Sequence, residues 1–363
     1  MNYRKYDLTI KLISIQVFYT TFSTAYTRGF TMFDMPTSDA SIKSPKSAYQ
    51  WLTPLQRQQE KTYQIPVTKI AKYNYKMFES DSFDGNWHLD EYFPLIFVIN
   101  LPTATARRQK SLEELHAINC NNFEFFTATD GKDLSADIWK KFHGNLHSSD
   151  CDTEEGKAAL DKLHQGQAGC YMSHYRLVKL VYQTYIQAKE QLAIATENHD
   201  TKGFDEAAKT LYRYSRVLIL EDDFGFGYLD NKNQILTKKS VGYTLCKALV
   251  DLPDHWDMLY LQVNATSPTV KHTKRLRKIK SSWCFCAYAL NHTMYESFLN
   301  CLEKIDNPET VDLLPVDSAI SKIQHQHEVY AIYPSVVYCQ GGKSQITHRT
   351  WDPWQGQAIY PKK

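Results

Sequence analysis

From residue 93 onward, apolar runs of strand length alternate with segments of helical spacing. "PLIFVIN" (94–100) is continuous and apolar, the pattern of a strand buried on both faces. "RRQKSLEELHAI" (107–118) then places Leu112, Leu115 and Ile118 on one side of a helix. "NFEFFTA" (122–128) predicts a second strand, closed by a turn at Asp130-Gly131. A turn at Gly166 and Gly169 is read as opening the next helix, which runs to about Tyr185. "RVLIL" (216–220), "WDMLYLQ" (256–262), "WCFCAYAL" (283–290) and "VYAIYPSVVYC" (329–339) supply further strands. Helical patterns at 241–252, 292–305 and 316–324 lie among them. This alternation predicts an α/β domain, a mixed and mostly parallel sheet flanked by helices.

Two regions interrupt the pattern. Residues 1–92 carry a polar, Pro/Ser/Gln-rich stretch and read as an N-terminal extension to a domain covering 93–350. Residues 186–214 are polar and read as an insertion with a helix of its own, and 351–363 as a tail. The apolar-leaning run 8–22 contains Lys11 and Gln16 and falls short of the ~20 clean apolar residues of a membrane span. It is read as an amphipathic segment, or as lying ahead of a true start at Met32 or Met35; the alternative is a weak signal peptide, with Arg4 and Lys5 before the run and Ser23-Thr24-Ala25 after it.

Charge narrows the partners. A formal net charge of +2 gives no global field that would favour nucleic acid. The basic run "KHTKRLRKIK" (271–280) reads as a solvated, mobile loop, or as a grip on an anionic acceptor or a membrane surface. Eight scattered cysteines lack C-x-x-C spacing, which suggests reduced, mostly buried thiols, with Cys284 and Cys286 sharing one face of a strand.

The chemistry gathers at "RVLILEDDFGFG" (216–227), where a buried strand ends in Glu221, Asp222 and Asp223. Ligands of open α/β sheets sit at the carboxyl ends of strands, which is where these acids fall. On an extended segment Glu221 and Asp223 share one side and Asp222 takes the other. Two carboxylates on one side repel unless a cation or proton lies between them, and oxygen donors favour Mg²⁺ or Mn²⁺. The alternative is a polar strand edge facing water. In "GQAGCYMSHYRLVKL" (166–180) a glycine-freed helix N-terminus would suit an anion, with His174 in its first turns. The alternative for His174 is a core histidine bonded to backbone.

Taken in order, "FVINLPTATARR", "ATDGKDL", "GQAGCYMSH", "LILEDD", "WDMLYL", "PVDSAI" and "VYAIYPSVV" resemble glycosyltransferase family 25, the lipooligosaccharide and collagen galactosyltransferase group. The resemblance covers about residues 94–348, and its specific part is the "GQAGCYMSH" and "LEDD" pair. It implies a GT-A-like nucleotide-sugar transferase fold that inverts the anomeric centre and uses UDP-galactose with Mn²⁺ or Mg²⁺. Another UDP-sugar donor, or a catalytically silent sugar-binding module, are the alternatives. The implied acceptor is a glycan or glycolipid of the bacterial surface, and the implied location is cytoplasmic, peripheral to the inner membrane.

Residue by residue, the resemblance assigns Asp223 and Glu221 to the metal, with Asp222 in the same triplet but expected to hold the loop or meet the acceptor. Asn100, Arg107 and Arg108 match a first-strand motif near the nucleotide, although a solvated helix face would equally explain the arginines. Asp130, Gly131, Gly169 and His174 complete the expected donor site. Asp317 in "PVDSAI" matches an acid on the acceptor side and is the candidate base; its alternative is a helix N-cap. His348 is a candidate late metal ligand. Pro102 and Gln167 depart from the family pattern, which usually has acids there.

Overall fold

A computed structural model describes residues 89–142, 153–227, 238–307, 310, 312–340, 342–343, 346 and 350–351. The extension up to residue 88, His348 and the tail beyond Trp351 lie outside the described residues. A short helix, α1 (Leu89–Tyr92), leads into β1 (Ile96–Asn100), α2 (Thr105–His116) and β2 (Glu124–Thr127). After a 3-10 turn (Gly131–Asp133) come α3 (Ala136–Trp139), α4 (Glu154–Glu197) and α5 (Thr201–Arg213). Next follow β3 (Arg216–Glu221), β4 (Phe224–Phe226), α6 (Lys238–Asp251), β5 (Met258–Tyr260), β6 (Asn264–Ala265), β7 (Val270–Lys271) and β8 (Leu276–Lys278). The chain continues through β9 (Ser282–Trp283), β10 (Ala287–Asn291), α7 (His292–Leu302), α8 (Val316–Ser321), β11 (Val329–Ile332) and β12 (Val337–Cys339).

Eight strands form the main sheet in the order β2-β1-β3-β10-β5-β11-β8-β7. β10 and β8 run against the rest, so the sheet is mixed but mostly parallel in direction. The central runs are apolar throughout because both faces are covered. Phe97, Ile99, Val217 and Ile219 join an apolar cluster with Tyr171, Leu177, Val178 and Val181 of α4. Their neighbours Ile96, Val98, Leu218 and Leu220 join a second cluster with Leu115 of α2 and Leu245 and Leu249 of α6. Alternation along each strand divides the two layers.

Several expected elements take a different form. The helix expected at Gly169 starts instead at Glu154, where Thr153 caps it by accepting from the Gly156 amide. It runs 44 residues, so Gly166 and Gly169 are mid-helix and offer no N-terminal anion site. Their smallness serves close packing. A Cβ on Gly169 would stand 2.7 Å from Thr129 O, and one on Gly131 would meet Gln165 O at 1.7 Å. The turn after β2 therefore lies backbone to backbone against α4.

The insertion begins within this same helix, and α5 packs back on it, capped by Asp200 accepting from Gly203 N. The basic run 271–280 is not a mobile loop: it forms β7 and β8 at the sheet edge. Lys278 pairs with Glu328, while Arg275 and Arg277 lie over the rings of Tyr243 and Tyr333. "WCFCAYAL" is not one strand. It breaks at Cys284, whose φ is 74°, so Cys284 and Cys286 do not share a strand face. Among the described residues no helix is long and apolar enough to cross a membrane.

Candidate functional site

The parallel strands β1 and β3 end side by side, with Ile99 opposite Glu221. The chain leaves the core there, and the three acids stand at the mouth of a cleft of about 330 Å³. The turn after β2, at Thr129 to Lys132, and the inner face of α4, from Lys162 to His174, form its other walls.

Each acid has a different surrounding. Asp222 is nearly buried; one oxygen accepts from Asn100 Nδ2 at 2.7 Å and the other from Arg107 Nη1 at 2.8 Å. Burial pushes its carboxyl above the ordinary range, and the bonds from Arg107 and Asn100 offset only part of that. Burial also works against the Arg107 charge, but the bond to Asp222 and the fields of Asp223 and Asp222 outweigh it and raise the guanidinium's pKa. With each oxygen accepting a hydrogen bond, Asp222 is tied to Asn100 and Arg107 and so to the loop.

Glu221 turns toward α4. His174 Nε2 lies 3.1 Å from its Oε1, and the Cys170 thiol donates to the same oxygen at 3.6 Å. A carboxylate can only accept, so in the neutral ring Nε2 carries the proton and the Tyr288 hydroxyl donates to Nδ1, at 2.8 Å. Burial would raise Glu221, but the hydrogen bond and charge of His174 bring it below the ordinary range. Among the described residues Asp223 has no side-chain partner as close: Arg107 Nη1 is 3.7 Å away and the Cys286 thiol 3.9 Å, and its own backbone amide also bonds to the carboxylate. Burial, and then repulsion from Glu221, push its carboxyl up to about 7.

That imbalance would be relieved by a cation. Glu221 and Asp223 are two oxygen donors with unrelieved mutual repulsion at the mouth of a cleft, which suits a hard divalent ion. Cys170, His174 and Glu221 also bring one ligand atom each within 4.8 Å of one another. Burial and the charge of Glu221 keep the Cys170 thiol protonated well above its usual range, so this trio is better described as the hydrogen-bonded seat of Glu221.

Other expected residues divide clearly. Asp130, Gly131, Gly169 and His174 line the cleft together with Arg107. Asp130 caps the 3-10 turn by accepting from Lys132 N at 3.1 Å. Asn100 is buried, is not among the residues lining the cleft, and donates to Asp222. Arg108 does not belong to the site; it is exposed, with its guanidinium 3.7 Å above the ring of Phe125. One helical position separates it from Arg107, and that rotation of about 100° turns it away. Asp317 is not the N-cap of α8, which is Pro315. It sits in the first turn, where Oδ2 accepts from Cys284 N at 3.1 Å and Oδ1 from Ser318 N at 2.7 Å. It stands outside the cleft lining.

Sequence reading passed over Cys170, Lys132, Lys162 and Tyr288. Lys132 and Lys162 are exposed cations at the cleft edge. Lys132 adjoins the Asp130-Gly131 turn and was within reach of motif reading; Lys162 precedes any motif.

Residues 93–196 match the model of glycosyltransferase family 25 (LPS biosynthesis protein), the family whose motifs the sequence resembles. That segment contains β1, the β2 turn and the cleft face of α4. No curated protein matches the chain. One similar solved structure is titled "The Crystal Structure of UDP-glucose pyrophosphorylase complexed with UDP-glucose". It shares 8% identity over 66% of this chain and 89% of that one, with a TM-score of 0.27, a likeness too distant to carry an argument.

Proposed function

We propose that the chain is an inverting, metal-dependent glycosyltransferase of GT-A-like architecture. In this reading it moves galactose from UDP-galactose to a hydroxyl of a lipooligosaccharide-type glycan, in the cytoplasm. The observation that carries it is the pairing of Glu221 and Asp223 at the cleft mouth, with Asp223 held up to about 7 by burial and by its neighbour. Glu221 and Asp223 would hold Mn²⁺ or Mg²⁺, whose charge neutralises the donor diphosphate and makes it a better leaving group. Lys132 and Lys162 face the same cleft and add positive charge for the phosphates. Arg107 fixes Asp222 and, through it, the loop that carries Asp223.

Asp317 is the proposed base. It would take the proton of the acceptor hydroxyl as that oxygen bonds to the anomeric carbon and the sugar–phosphate bond breaks. Its hydrogen bonds fix its orientation: Oδ1 accepts from both the amide and the hydroxyl of Ser318, while Oδ2 accepts only from the Cys284 amide and retains a lone pair for the proton. UDP-glucose and UDP-N-acetylhexosamine remain the alternative donors. A silent sugar-binding module is disfavoured, because such a role has no need of two unneutralised carboxylates at the cleft mouth.

The test is turnover of a panel of UDP-sugars with and without Mn²⁺, beside Asp223→Ala. Metal-dependent transfer that Asp223→Ala abolishes supports the reading. Absence of metal-dependent turnover with every donor, under conditions where the protein binds UDP, would leave only the binding module.

A further inference from the structure

A cluster of thiols lies behind the acids, and nothing in the proposed chemistry uses it. Cys284 Sγ and Cys339 Sγ are 3.7 Å apart, both are partly exposed, and Cys286, fully buried, also bonds to Cys339. Cys284 holds φ at 74°, a left-handed conformation that few residues other than glycine adopt without strain. That conformation turns its backbone amide to Asp317 Oδ2 at 3.1 Å. Cys339 pairs with Phe224 across β12 and β4, and the next residue, Gln340, donates its amide to Asp223 O at 2.6 Å. The two thiols thus sit on the two segments that hydrogen-bond Asp317 and Asp223, Cys284 by its own amide and Cys339 through its neighbour Gln340.

We propose that Cys284 and Cys339 are a reversible thiol–disulfide pair whose closure ties β12, whose next residue Gln340 bonds Asp223, to the loop held by Asp317 and slows the enzyme. The oxidant is a peroxide. One thiolate attacks the peroxide oxygen, breaking the O–O bond and leaving a sulfenic acid and water; the second thiolate attacks that sulfur and releases a second water. Net, two thiols lose two hydrogens, the sulfurs are oxidised and the peroxide is reduced. Closing a 3.7 Å contact to a bond of about 2.05 Å joins the two segments covalently and removes their freedom to move independently. A displacement of ~1 Å near reacting atoms costs up to ~10²-fold in rate. The bond shared with Cys339, together with burial, holds the Cys284 thiol protonated well above its usual range, so oxidation should quicken as pH rises.

The effect on turnover rests on the glycosyltransferase reading; the cross-link does not. The full chain would be treated with hydrogen peroxide, its free thiols alkylated, and the unreduced protein digested for mass spectrometry. Expected is a cross-link between the peptides of Cys284 and Cys339, two hydrogens lighter than the reduced pair, which also forms in Cys286→Ser. Turnover with Mn²⁺ and the active donor should fall at least about tenfold and return with dithiothreitol. Cys339→Ser should match the untreated wild type and resist peroxide. Both thiols remaining open to alkylation after full treatment, loss of the link in Cys286→Ser, or a link that leaves turnover unchanged would overturn the proposal. If untreated wild type transfers no sugar from any donor, the glycosyltransferase reading fails alone. The pair is then judged from the mass data and from the Mn²⁺–UDP thermal shift, which must shrink on oxidation.

Discussion

His174 and Glu221, 47 positions apart, meet at 3.1 Å, and the far side of the same imidazole rests on the hydroxyl of Tyr288. This chain, Tyr288 to His174 to Glu221, crosses from β10 through α4 to the end of β3. It fixes one carboxylate while leaving Asp223, among the described residues, without a side-chain partner as close. The arrangement gives a paired acid and a poised one, two positions apart in sequence and shifted in opposite directions from their ordinary pKa values.

Replacing His174 by Phe should remove the support of Glu221 and leave the buried Tyr288 hydroxyl unpaired. Outer partners of metal ligands are commonly worth 10–100-fold in affinity. Mn²⁺ binding, read by titration calorimetry in the presence of UDP, should weaken by about that factor. An unchanged Mn²⁺ affinity would mean that Glu221 is held by something else.

Arg107→Ala should strand a nearly buried Asp222. Breaking a buried pair by removing one partner costs about 3–5 kcal/mol, more than deleting both. Urea denaturation should show that loss, with Arg107→Ala/Asp222→Asn recovering part of it. If the double variant is no more stable than the single, the pair is not the source of the loss.

The raised pKa of Asp223 has a definite sign in stability. The folded protein binds this proton more tightly than the unfolded chain, whose carboxyl titrates near the ordinary value of about 4. Its destabilising effect is therefore absent below about pH 4, grows through the window from about 4 to 7, and is complete above 7. Metal-free Asp223→Asn should melt a few degrees higher than wild type at pH 8 and equal to it near pH 4. Equal melting temperatures at pH 8 would contradict the repulsion from Glu221.

Arg107 and Arg108 separate the cleft from its outer face. Arg108→Ala should leave UDP-sugar affinity within about twofold, since its guanidinium lies on Phe125. Lys132→Ala with Lys162→Ala should weaken that affinity several-fold, and the loss should diminish as salt is raised. A loss of donor affinity in Arg108→Ala equal to that in the lysine pair would restore Arg108 to the site.

Gly131→Ala tests the seating of the β2 turn on α4. The added Cβ would fall 1.7 Å from the Gln165 carbonyl oxygen, so backbone must move. Overpacking of this kind typically costs 1–3 kcal/mol, and backbone-against-backbone clashes lie at the upper end. A thermal melt unchanged from wild type would show that the turn is free to lift.

The sequence by itself determined the layered α/β domain, because strands buried on both faces have to be apolar throughout, and "PLIFVIN" and "RVLIL" are. It also determined that the acids lie where β3 leaves the core, since an apolar run cannot take three carboxylates inward. Only the tertiary structure decided their surroundings. Period-two alternation set Asp222 apart from its neighbours, but its partners Asn100 and Arg107 are 122 and 115 positions away, beyond any local pattern. Gly166 and Gly169 carried the composition of a turn, yet they lie in mid-helix, because contact with the β2 turn and with Ile346 demands small residues as strictly as a bend does. Propensity reports what a residue permits locally; the choice between a turn and a close approach depends on what packs against it.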